Sequence, residues 1–188
     1  MPSATERVVL LAGATPDLHA GICWAHAIAA GHLRDREAAQ DAARAYEEDL
    51  AAVKKSSFAY VADAMQNSRD ETHAWVQFVE GHSTGAIALL ERVAERQDAT
   101  GKGEVEIPAR EMLADMLLEL QRPEEALSEY QKALRTDPKR FNELYGAGWA
   151  AEKAGKTALA REYFRELVRD CPEADRRELA HASQMARY

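Results

Sequence analysis

Helix breakers are scarce in this chain, with 10 Gly and 6 Pro among 188 residues, while alanine occurs 37 times. Alanine forms helix best because it loses no side-chain entropy and hides no polar group, whereas Gly and Pro disrupt the helical backbone. That contrast excludes an all-β domain, a collagen-like fibre and a long disordered tail. Cysteine is also rare: Cys23 and Cys171 lie far apart, with no CxxC companion. A disulfide scaffold needs more, so a reducing, cytoplasmic setting is expected. No apolar run approaches the ~18 residues of a membrane span. The stretch Val8 to Ala14 is short, and Glu6 beside a single Arg7 makes a poor signal-peptide start. Basic charge is in deficit, 24 Lys+Arg against 32 Asp+Glu for a net −8. A chain of this sign gains little from counterion release on nucleic acid. Neither nucleic acid nor membrane is therefore an expected partner.

What is present is a repeat. Shifted by 34 residues, the second half of the chain places Ala114 on Gly148, Ala126 on Ala160, Tyr130 on Phe164, Ala133 on Leu167 and Pro138 on Pro172. Two antiparallel helices approach closely only where side chains are small, and an aromatic ring then fills the space left over. Gly155 is placed to close a helix as a C′ residue, and Asp137 before Pro138 to open the next one. Two repeats follow, 107–140 and 141–174, with 173–187 as the polar capping helix that such arrays need. Upstream, Gly81 and the segment after it match Gly155 at an offset of 40 from the first strong repeat, so 57–98 reads as a degenerate repeat. The extra residues fit a loop from Gln97 to Val105. Leu18–Ala30 and Asp35–Val53 form a further helical pair within 15–54, turning around Gly31, whose register against the repeat stays open. The whole chain, 1–188, reads as one all-α domain of about nine helices.

The small residue at position eight, alanine at twenty, aromatic at twenty-four and proline at thirty-two resemble the tetratricopeptide repeat family. Segments such as 108–120 and 140–147 also resemble a bacterial group of such proteins with no assigned activity. The resemblance implies a right-handed superhelix whose first helices line a concave face that binds a peptide or protein segment. The residues at the corresponding groove positions are Glu71 and Trp75, Glu111 and Asp115, and Tyr145 and Trp149. Members that grip a C-terminal carboxylate place cationic and amide donors there, and the acidic pair Glu111 and Asp115 departs from that pattern. The expected partner is instead a basic or apolar segment anchored on the tryptophans. The alternative for both tryptophans is packing between hairpins, and for the acidic residues simple solvation.

Chemistry-bearing patterns are few. His19, Cys23 and His26 stand at i, i+4 and i+7 on one helical stripe, a spacing that can hold zinc or copper but lacks a fourth ligand. Burial of Cys23 as a small hydrophobe is the competing account. His73 and His82 form no HExxH pattern and read as ordinary histidines. Thr100-Gly101-Lys102-Gly103 lacks the full phosphate-loop spacing. Glu91, Glu95 and Asp98, with Arg92, Arg96 and Lys102, read as a polar network that ties down the long loop. No GxSxG elbow or dinucleotide fingerprint occurs. The expected function is a non-enzymatic interaction scaffold without a cofactor. The alternatives are a metal-binding or enzyme-accessory role for the first hairpin, and homodimerisation through Val8, Val9, Leu10 and Leu11.

Overall fold

In a computed structural model, residues 15–57, 59–100, 107–172 and 175–187 of the chain are described. The expected homodimer patch and the glycines of the Thr100–Gly103 segment lie outside them. Nine α-helices occur among the described residues: α1 (Pro16–His32), α2 (Arg36–Lys54), α3 (Gln66–Val79), α4 (Ser83–Thr100), α5 (Ala109–Glu119), α6 (Pro123–Thr136), α7 (Phe141–Lys153), α8 (Thr157–Asp170) and α9 (Arg177–Ala186). A short 3-10 turn, Ala59–Val61, lies between α2 and α3. No strand occurs among the described residues, and the all-α expectation holds. The chain divides into two compact units, Met1–Leu89 and Leu90–Tyr188. The division falls inside α4, so the degenerate repeat expected over 57–98 is split between them.

Four helical hairpins close with the same turn. Arg34, Gly81, Gln121 and Gly155 all take positive φ, at 57°, 86°, 59° and 73°. Each donates its N–H to the carbonyl three residues back, and the next residue donates to the carbonyl five residues back. The latter bonds run from Asp35 to Ala30, His82 to Gln77, Arg122 to Leu117 and Lys156 to Ala151, at 2.8–2.9 Å. This is the Schellman arrangement, which satisfies carbonyls that a helix end leaves open. The left-handed conformation suits glycine and costs other residues roughly 1–2 kcal/mol, so Arg34 and Gln121 carry a strain that Gly81 and Gly155 do not.

These turns fix the register that periodicity left open. They step through the chain by 47, 40 and 34 residues. Five residues after each turn stands a fully buried alanine: Ala39, Ala86, Ala126 and Ala160. Seven residues before each turn stand Ala27, Ala74, Ala114 and Gly148, again buried. Gly31, expected as the turn itself, lies instead inside α1, three residues before it.

Within the first unit, α1 and α2 pair and α3 packs on both. Asp35 caps α2 by accepting from the Ala38 N–H at 3.0 Å. Trp75 fills the centre of this unit, and a Cβ on Gly31 would stand 2.2 Å from its ring. Within the second unit, α5 to α9 pack in succession. Here α7 is pressed between two rings: a Cβ on Gly146 would meet Tyr130 of α6, and one on Gly148 would meet Phe164 of α8. Small residues are thus what permits the close approach.

Three boundaries differ from expectation. Asp137 ends α6 rather than capping α7, which starts at Phe141 after Arg140. Pro138 forces the residue before it out of the α region, so the chain spends 137–140 on a turn. The final helix begins at Arg177 rather than 173. Helix α4 runs on through Asp98 to Thr100, where a loop was expected. The Gln97 side chain then accepts from the Ala109 N–H at 3.0 Å and caps α5 from outside its own helix. Asp98 binds Arg110, whose other arm reaches Glu129 at 2.6 Å. Of the polar residues expected to tie down the long loop, Asp98 is the one held in this pairing, and its cation is Arg110 of α5; Lys102 lies outside the described residues.

Candidate functional site

Counted back from each turn, positions −10 and −6 stand four residues apart and so share one face of each first helix. They are Trp24 and Ile28, Glu71 and Trp75, Glu111 and Asp115, and Tyr145 and Trp149. The first pair was missed by sequence reasoning because its turn carries Arg34 where glycine would have marked it. The eight positions have very different surroundings.

In the first unit the row is closed. Trp75 is 0% exposed, stacked at a tilt on His32 with ring centres 4.5 Å apart and edge-on to Phe78 at 5.6 Å. It offers no face to a partner and belongs to the core, the alternative that the sequence held open. Trp24 is also buried and donates its indole N–H to Glu71 at 2.8 Å. Glu71 is 3% exposed, so its carboxylate supports the packing of α1 on α3 rather than lining an open groove.

In the second unit the acidic pair is largely engaged. Glu111 is buried and accepts from Arg140 at 3.2 Å and from Asn142 at 2.9 Å. Asn142 in turn accepts from Arg176 at 2.8 Å, and Arg176 lies over the Phe141 ring. Glu143, fully buried, pairs with Arg140 at 3.6 Å. A carboxylate buried without such partners would be very costly, and the chain supplies Arg140 to both carboxylates and Asn142 to Glu111. Asp115 is half-buried and accepts from the Tyr130 hydroxyl. Burial first, and then the Asp115 charge, push that hydroxyl far above its ordinary range, so it remains a donor.

Tyr145 and Trp149, like Asp115, are only half-buried, and they are the aromatic members of the row that stay so. His181 of α9 lies edge-on to Trp149, Tyr145 and Phe164, with ring centres 5.2, 5.9 and 5.3 Å away. The Tyr145 hydroxyl is 3.3 Å from His181 Nδ1, and Glu152 is 3.4 Å from Nε2. The Lys153 ammonium sits 4.3 Å above the Trp149 ring. The ring quadrupole favours a cation at that place.

The first hairpin holds a separate cluster. His19 Nδ1 lies 2.6 Å from Asp49 Oδ2, and Cys23 Sγ lies 3.9 Å from both of those atoms. Burial, followed by the Asp49 carboxylate, pushes the Cys23 thiol up to about 11. His26 is exposed and takes no part. Of the stripe read from the sequence, His19 and Cys23 thus lie together with Asp49 of α2 beside them, and His26 lies outside this group. Of the other histidines, His73 pairs with Glu47 at 2.7 Å and His82 is exposed beside Glu80.

The tetratricopeptide repeat family model matches residues 72–141 and 111–175, together more than half of the chain. The chain is a member of the tetratricopeptide repeat family. The match begins within α3, so the first hairpin joins the repeat through its turn and buried alanines alone. No curated protein and no solved structure matches this tetratricopeptide repeat chain. Repeats of the family generally mediate protein–protein interaction as scaffolds, and no described helix is long and apolar enough to cross a membrane.

Proposed function

We propose that the chain is a non-enzymatic scaffold that holds a basic or apolar protein segment on the first helices of its second unit. Asp115, Tyr145 and Trp149 are its accessible contacts, while Glu111, Glu71 and Trp75 act from within the fold. The carrying observation is the half-exposed Trp149 ring with the Lys153 ammonium over it. That lysine stands where a partner's lysine or arginine would sit. Such a contact contributes about 0.5–1 kcal/mol at an exposed site and more when desolvated. The net charge of −8 favours approach of a basic segment, and the two free thiols fit a reducing, cytoplasmic setting.

The test is a titration with matched basic and acidic peptide pools, followed by tryptophan fluorescence. Basic peptides should change the emission saturably, and Trp149→Phe should abolish both the change and most of the affinity. A response confined to acidic peptides, or one that survives Trp149→Phe unchanged, would overturn the assignment.

A further inference from the structure

The geometry points to a divalent-metal site on the first hairpin, with His19, Cys23 and Asp49 as ligands and Zn²⁺ as the fitting ion. The three ligand atoms lie within 4.8 Å of one another, and among the described residues they form the group with this donor set. A tetrahedral zinc with ordinary bond lengths sets its nitrogen and oxygen ligands about 3.4 Å apart, and either of them about 3.6 Å from sulfur. The observed separations are 2.6 Å for His19 to Asp49 and 3.9 Å for each of them to Cys23. Binding therefore asks the imidazole and carboxylate to part by under about 1 Å and the thiol to draw in slightly, which side-chain rotation supplies.

The environment has the matching sign. Cys23 is buried, and the negative groups acting on it are Asp49 and Glu48. That field disfavours a bare thiolate and attracts a divalent cation, and a bound cation reverses the balance for the thiol. On binding, the Cys23 proton is released to solvent and sulfur becomes a zinc ligand. Imidazole, thiolate and carboxylate together suit zinc better than calcium or magnesium, which prefer oxygen. The His19 and Asp49 side chains are 30% and 16% exposed. The site therefore opens to solvent on one side, and three protein ligands leave a fourth position for water or for a donor from a binding partner.

The test uses the full chain, stripped with chelator and titrated with Co²⁺ and then Zn²⁺. One equivalent of Co²⁺ should give thiolate-to-cobalt charge-transfer absorption with tetrahedral visible bands. Zn²⁺ should displace it, raise the Tm and release a proton. Asp49→Asn and Cys23→Ser should each weaken Zn²⁺ binding by at least about a hundredfold, and Cys23→Ser should remove the charge-transfer band. His26→Ala and Cys171→Ser should leave uptake unchanged. Absence of saturable one-to-one uptake would overturn the site. So would undiminished uptake in a folded Asp49→Asn chain, or loss of uptake in His26→Ala.

Discussion

Trp75 and Trp149 occupy the same repeat position, six residues before a Schellman turn, yet one is sealed and the other half-open. In the first unit, α1 gives up a side chain at Gly31 so that the indole of Trp75 can lie against its backbone. In the second unit, the glycines of α7 admit Tyr130 and Phe164, and Trp149 is left with His181 at its edge and Lys153 on its face. The same residue type at the same position becomes core or contact surface according to what its neighbours remove or supply. A repeat position therefore nominates a site, and the packing around it decides whether the site is open.

The contrast can be broken most forcefully by truncation. Trp75→Ala should cost about 3–5 kcal/mol, the range for deleting a fully buried ring, while Trp149→Ala should cost on the order of 1 kcal/mol because less area is recovered from water. Chemical denaturation of the two variants checks this, and equal losses would contradict the contrast. Next in size is the glycine opposite the buried ring. Gly31→Ala should destabilise by about 1–3 kcal/mol, since the added methyl must displace the indole. Gly21, in the same helix with nothing within 4 Å of its would-be Cβ, should instead gain about 0.5–1 kcal/mol on substitution by alanine.

A smaller effect tests the shared turn. Gln121→Gly should stabilise by up to about 1 kcal/mol by relieving the left-handed backbone. Arg34→Gly should gain less, because it also loses the guanidinium held 3.9 Å over Phe78. Thermal melts of both variants give the ranking.

The smallest effect is a pH dependence confined to the first unit. Burial alone raises the Glu47 carboxyl, but hydrogen bonds from His73 and Arg69 outweigh it and hold the group below its ordinary 4.5. A depressed carboxyl contributes stability that is fully present above its unfolded value and is lost as pH falls through its lowered folded value. Glu47→Gln should therefore flatten the acid limb of the stability profile below about pH 4.5 and leave the slope near neutrality unchanged. With the carboxylate about a third exposed, the change is expected to be slight.

Much of the fold was legible because small and aromatic residues recur where hairpins must touch. Ala126 and Ala160, with Tyr130 and Phe164, carried that signal and are all buried. The first hairpin was less legible. Its turn is marked by Arg34 rather than glycine, and Ala43 stands nine residues after that turn, where Tyr130 and Phe164 stand in the strong repeats. Gly31, the visible glycine, serves ring packing instead. The candidate groove was legible by position but not by state. Spacing shows that Glu111 lies on the right face; it does not show that Arg140 and Asn142 meet its carboxylate there. Likewise the i, i+4 pair of His19 and Cys23 was readable along one helix, whereas Asp49 comes from the next helix, and no single-helix pattern brings it in.

The most direct test of the account follows the three tryptophan indole N–H signals by two-dimensional NMR during titration with a basic peptide. The Trp149 signal should move saturably while those of Trp24 and Trp75 stay in place. A stationary Trp149 signal at saturation, or a shift led by Trp75, would contradict it.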